Sequence, residues 1–248
     1  MALAALFYLA VREKHYPSNQ LEQFEKKKNT LKLRNFLHLL KQKHNWLLML
    51  YSGLAFASVA VFGGLWGNPF LQENFHLNKS MAATLTSMIF FGLAVGGPVL
   101  GWASDRLGNR YRVMVFDVLL SLFSLTAALY LPPRSILLEA ILLFMVGFGT
   151  GAFMLGFAVG KEMNPLPLAA TVIGLINMGD ALFGAFSEPL VGKVLDLLWR
   201  GKVAHSSHYF SVHEFHLALL LLPVYLFGAL LMLWVLKRYC VTVSVKTP

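Results

Sequence analysis

The stretch Gly101-Trp102-Ala103-Ser104-Asp105-Arg106-Leu107-Gly108-Asn109-Arg110-Tyr111-Arg112 separates two long apolar runs, 80–102 and 113–131. A connection this short makes its flanking runs antiparallel neighbours if both are helices. Three arginines stand against a single aspartate in it. If the runs cross a bilayer, that excess sets which side the connection faces. The rest of the chain is consistent with such a crossing. Of its 248 residues 57% are hydrophobic and only 13% are charged, about half the charged fraction of a soluble domain.

The net charge of +9 invites a nucleic-acid reading. The basic residues, however, sit in short segments flanking apolar runs, and no recognition motif accompanies them. Cys240 is the sole cysteine, which excludes an internal disulfide and a cysteine-based metal cluster.

Six apolar runs of spanning length follow one another at 46–66, 80–102, 113–131, 135–159, 168–190 and 215–236. Each is long enough for a helix to satisfy its own backbone in lipid. The fold class is therefore all-α, a polytopic membrane helix bundle. Asn68-Pro69, Pro132-Pro133 and Asn164-Pro165 read as breaks between spans.

The chain divides into 1–11, apolar but too short to span; 12–45, a basic linker; 46–236, the six-helix bundle; and 237–248, a tail. Residues 1–11 lack the basic start of a signal peptide. The linker carries nine Lys/Arg against three Glu and is either a plain linker or a basic helix on an anionic surface. Counting Lys/Arg by alternate segments puts sixteen on the side of the linker, the 101–112 connection and the tail, and four on the other. The first side is expected to be cytoplasmic.

Gly101, Asp105-Arg106, Gly108 and Arg110 in that spacing resemble the signature loop of the major facilitator superfamily, secondary transporters with two six-helix halves. The flanking segments Leu65-Trp66-Gly67, Pro69-Phe70-Leu71, Lys161-Glu162, Asn164-Pro165 and Glu188-Pro189-Leu190 resemble one bacterial branch of that family, with proton symport of metabolites. The resemblance implies a multi-pass protein of the inner membrane. It also implies that six spans form a C-terminal half, and that residues 1–11 end the last helix of a first half. The expected partners are a small organic solute, protons, the lipid bilayer, and either the missing N-terminal half or a second copy of this chain. No cofactor, enzyme activity or nucleic acid is expected. A non-transporting scaffold or sensor is the alternative.

Specific residues carry specific expectations. Gly101 would let helices cross closely and Gly108 would permit a tight turn. Asp105 would pair with Arg106 or Arg110 or cap a helix N-terminus, with Arg112 nearby, forming a latch that breaks on opening; a solvated positive-inside loop is the plainer reading. Asp180 lies about 18 Å into the fifth run, so it is either a proton carrier or a structural hydrogen-bonding group. Asn177, three residues earlier, is expected to share its face, and Glu188 completes the substrate or proton pathway candidates, although it lies nearer the outer surface and can pair with Lys193. Lys161 and Glu162 are expected to pair at a helix end, and Asp117 to pair with Arg112. Tyr51 and Trp66 are candidates to line a cavity. His213 and His216 have a metal-compatible spacing, but apart from Glu214 no carboxylate pattern completes a site, and a solvated loop is the plainer reading.

Overall fold

The computed structural model of the chain describes residues 39–132, 135–199, 203–204, 207–208 and 210–240. The expectations for 1–11 and most of the linker lie outside these residues. Six helices are long and apolar enough to cross a membrane: α1 (Lys43–Phe75), α2 (Lys79–Leu107), α3 (Arg110–Tyr130), α4 (Ile136–Met163), α5 (Leu166–Leu198) and α6 (Val212–Arg238). Two short strands, β1 (Val203–Ala204) and β2 (Ser207–His208), pair antiparallel in the α5–α6 connection. The large apolar side chains left outside, among them Phe123, Leu137, Phe186 and Phe227, suit a hydrocarbon solvent. The protein is a multi-pass membrane helix bundle.

Helix starts follow the local polar residues. The side chains of Asn78, Asn109 and Ser135 accept the backbone N–H groups of Met81, Arg112 and Leu138, and Ser211 with Glu214 forms a capping box ahead of α6. These bonds satisfy N–H groups that a helix's first turn leaves without partners.

The expected break at Asn68-Pro69 does not occur. α1 runs on to Phe75 and stops at His76, which adopts a left-handed conformation with φ 53°. The residues before Pro69 form a wider π-helical stretch, Val59–Trp66. That stretch accommodates a ring without an N–H, because its bonds are already displaced by one residue. α5 likewise passes through Pro189. α4 is continuous in direction but tightens to a 3₁₀ turn at Gly151–Met154.

α1 is the central helix: 61% of its apolar window is buried, against 33% in α2, α5 and α6. It packs on α5 and α6, while α4 packs on α2 and α3, and α3 meets α6. Adding or subtracting three from each helix number maps this pattern onto itself. It is the packing of two three-helix repeats of opposite topology. Glycine makes the main contacts between the repeats. A Cβ on Gly147 of α4 would strike the Ile89 carbonyl of α2, and one on Gly179 of α5 would lie 2.5 Å from the Met49 carbonyl of α1. Such close approach supplies the dispersion contacts that hold helices together in lipid.

Candidate functional site

The 101–112 connection folds into a charge clasp joining three helices at one end of the bundle, here termed the loop end. Gly108 takes φ 60° as the cap of α2, a conformation that costs a side-chain-bearing residue about 1–2 kcal/mol. The reversal turns α3 back so that Arg110, its first residue, faces α2 and α4. Arg110 Nη1 lies 3.0 Å from Asp105 Oδ1 of α2, and its Nη2 lies 2.7 Å from Glu162 Oε1 of α4. Its Nε also donates to both Glu162 oxygens at 2.9 and 3.1 Å. The guanidinium fork therefore grips two carboxylates on two helices.

Arg110 is thus the partner of Asp105. Arg106 lies instead over the Trp102 ring, 5.1 Å from its centroid, and Asn109 rather than an acid caps α3. The helix-end pair expected of Lys161 and Glu162 is replaced, because Glu162 turns to Arg110 while Lys161 is exposed. Arg112 is also exposed. Gly101 does not mediate a close crossing within the described residues, since a Cβ there meets nothing within 4 Å.

Beside the clasp, a second polar contact closes the loop end. Asn45 at the start of α1 and Asn164 between α4 and α5 exchange amide bonds of 3.2 and 2.8 Å, and both are buried. Each also binds a backbone carbonyl, Leu39 for Asn45 and Gly160 for Asn164.

Deeper in the bundle, neighbouring residues of α1 reach two carboxyl groups on different helices. Ser52 Oγ donates to Asp180 Oδ1 of α5 at 2.6 Å, and Tyr51 Oη contacts Asp117 Oδ2 of α3 at 3.2 Å. Asp180 is 5% exposed and Asp117 0%. Asp180 Oδ2 and Asp117 Oδ1 are buried without a hydrogen-bond partner. Asp117 accordingly pairs with Tyr51 and not with Arg112. Its depth, about 10 Å past Arg110 at 1.5 Å per residue, takes it beyond the reach of the clasp.

A connection of this kind, set among six such helices, is a family signature, and the wider chain agrees with it. The profile of the Major Facilitator Superfamily matches residues 1–188 and 48–239. The chain belongs to the Major Facilitator Superfamily. It is 35% identical over 129 residues to the hexuronate transporter of Bacillus subtilis (strain 168), covering 51% of this chain and 29% of that protein. It is 29% identical over 195 residues to the membrane sensor protein UhpC of Escherichia coli (strain K12), covering 75% of this chain and 42% of the sensor. Its fold resembles the inward-open conformation of the xylose transporter XylE from E. coli, with a TM-score of 0.59 at 16% identity, covering 80% of this chain and 49% of the transporter. The chain spans less than half the length of these relatives.

The remaining candidates of this superfamily member are scattered. Asn177 is exposed although Asp180, three residues on, is buried. Glu188 is half-buried at the far end, where its backbone carbonyl accepts the Trp66 indole N–H at 3.0 Å. Lys193, suggested as its partner, is exposed. Tyr51 is fully buried and lines no open cavity. Among the described residues no group of three or more metal-ligating side chains converges.

Sequence reasoning missed Glu139, which is 5% exposed in the first turn of α4 with Oε1 unpartnered. Its signal was a carboxyl inside an apolar run, the same signal that flagged Asp180. It also missed Ser52, Asn45 and the role of Tyr51, none of which stands out by type or spacing.

Proposed function

We propose that this chain forms the C-terminal six-helix half of a secondary transporter that moves a small organic solute by alternating access, most simply with protons. The observation that carries the reading is the Asp105–Arg110–Glu162 clasp, which ties α2, α3 and α4 together at one end of the bundle. Ion pairs at a rim hold one packing and must break for another, which makes them a bistable element. The sixteen-to-four bias of Lys/Arg supports a cytoplasmic loop end, linker 12–45 and C-terminus, and the resemblance to bacterial transporters supports the inner membrane. A first half or a second copy of this chain supplies the opposing wall. A sugar or sugar acid is the solute class to try first, because the named relatives carry hexuronate and xylose. Asp180, buried in α5 and bound by Ser52 of α1, is the candidate coupling group.

The test is uptake of labelled hexuronate and xylose by vesicles holding this chain with a first half from a relative. Asp105→Asn is expected to slow uptake by about fivefold, the effect of losing roughly 1 kcal/mol, with the amount in the membrane unchanged. Undiminished uptake would remove the gate. Asp180→Asn is expected to abolish uphill accumulation while leaving solute exchange; full proton-driven accumulation in that variant removes Asp180 from the coupling step.

A second reading has its own support. The membrane sensor aligns with 75% of this chain, more than the hexuronate transporter does. A sensor would bind the solute, seen as a change in tryptophan fluorescence, without net flux.

A further inference from the structure

Asp117 is the most enclosed carboxyl group of the bundle, and its hydrogen-bond geometry contains a mismatch. The Tyr51 hydroxyl lies 3.2 Å from Asp117 Oδ2 and 3.5 Å from the carbonyl oxygen of Ala152. Both contacts require Tyr51 to donate, yet a phenol carries a single hydrogen. If it points to Asp117, the Ala152 contact is two oxygens facing each other. If it points to Ala152, a buried carboxylate is left without a donor from Tyr51, and Oδ1 has no partner either way. One additional hydrogen removes the conflict.

The surroundings offer little other compensation. The backbone of Ala152 is within hydrogen-bonding reach of the carboxyl group, and at this level α4 presents Gly149 against the Asp117 backbone. Ser121, one turn along α3, is engaged with Val146 and Thr150 of α4. Between His216 and Lys237, α6 carries one titratable residue, Tyr225, which meets Ser187 of α5. α2 has no titratable residue between Lys79 and Asp105. Asp180 faces α1 from α5 and is bound by Ser52. Tyr51 is the titratable group at the Asp117 carboxyl, and among the described residues no lysine, arginine or histidine partners it. An uncompensated carboxylate at such a place is costly in lipid. With Asp117 and Tyr51 both at 0% exposure, a metal cation has no open space, whereas a proton needs none.

We infer that Asp117 and Tyr51 form a proton-binding site. In it the acid hydrogen of Asp117 Oδ2 bridges to Tyr51 Oη, and the phenol hydrogen passes on to the Ala152 carbonyl. Uptake forms one O–H bond at Oδ2 and turns the Tyr51 hydrogen toward Ala152. Release breaks that bond and turns the hydrogen back to Oδ2. Ala152 belongs to the 3₁₀ turn of α4, so the bound proton links α1, α3 and α4 at the place where α4 departs from α-helical form. The importance of this site for transport rests on the carrier reading above; its occupancy does not.

The test is infrared spectroscopy of the chain in lipid nanodiscs at neutral pH, with aspartate ¹³C-labelled at the side-chain carboxyl. Only four aspartates are present, Asp105, Asp117, Asp180 and Asp196, so single substitutions assign the bands. The expected result is a protonated-carboxyl band that shifts with the label, disappears in Asp117→Asn and persists in Asp180→Asn. Tyr51→Phe, which keeps the ring and its packing, is expected to displace the same band by removing its hydrogen-bond partner. Absence of a labelled acid band in the unsubstituted chain overturns the proposal. So does the survival of every labelled acid band in Asp117→Asn, or a band that sodium chloride abolishes and choline chloride does not. No uptake by the unsubstituted chain with its added first half, with the band intact, would count against the carrier reading and leave the site standing.

Discussion

At the scale of single residues, Arg110 and the Asn45–Asn164 pair make different kinds of contact and respond differently to substitution. Arg110 holds two carboxylates through separate edges of one fork. Lysine offers a point charge and cannot hold both in that geometry. Asp105 is two-thirds exposed, so solvent screening limits the clasp to about 1 kcal/mol of stability. Arg110→Lys is expected to lower the thermal midpoint of the purified chain by only about 2–4 °C. The asparagines are buried, and removing one strands the other. Asn164→Ala is expected to cost about 1–3 kcal/mol, read as a lower midpoint in a thermal melt. The double change Asn45→Leu with Asn164→Leu should recover part of that loss, because neither partner is then left unsatisfied. A double variant no better than the single one would show that the amides act independently.

At the scale of elements, the existence and order of six helices was legible in the sequence, because lipid demands long apolar runs and leaves little else to decide. The ends and interruptions were less so. Pro69 reads as a stop in isolation, yet α1 passes it because the π-helical stretch before it prepares a bond pattern that does not need its N–H. The close crossing expected of Gly101 belongs instead to other glycines, which nothing in the sequence singles out as touching a neighbour. Gly147 meets the Ile89 backbone, whereas Gly101 meets nothing within 4 Å. Gly147→Leu is therefore expected to separate α2 from α4 and prevent accumulation of folded chain, while Gly101→Leu is expected to leave the melting temperature of the chain unchanged. Size-exclusion chromatography in detergent reads the first outcome and a thermal melt of the eluted peak the second; equal behaviour of the two variants would contradict the packing. Partners across the fold were the least legible. Asp117 and Tyr51 stand 66 positions apart, and only the meeting of α1, α3 and α4 brings them together.

At the scale of the whole molecule, the two three-helix repeats use their small residues on one another and leave α2 and α5 with large outward faces. Those faces need not share one solvent. On α5, Phe186 is 71% exposed, and a large aromatic so placed suits hydrocarbon. Asn177 is exposed as well, and nine residues at about 100° each place it roughly opposite Phe186 round the helix. A carboxamide facing lipid lacks any bonding partner, so its face is expected to border water or another polar protein wall. That is the wall a central solute path between two halves would have. The expectation is checked by thiol labelling in a Cys240→Ser background. Asn177→Cys is predicted to react with a membrane-impermeant maleimide at least about tenfold faster than Phe186→Cys, because the reactive thiolate forms only where water reaches it. An added first half should slow labelling at position 177 when solute is bound and leave position 186 unaffected. Equal rates at the two positions would mean that α5 is surrounded by lipid on both sides, and that the exposed face of Asn177 does not border a path for solute.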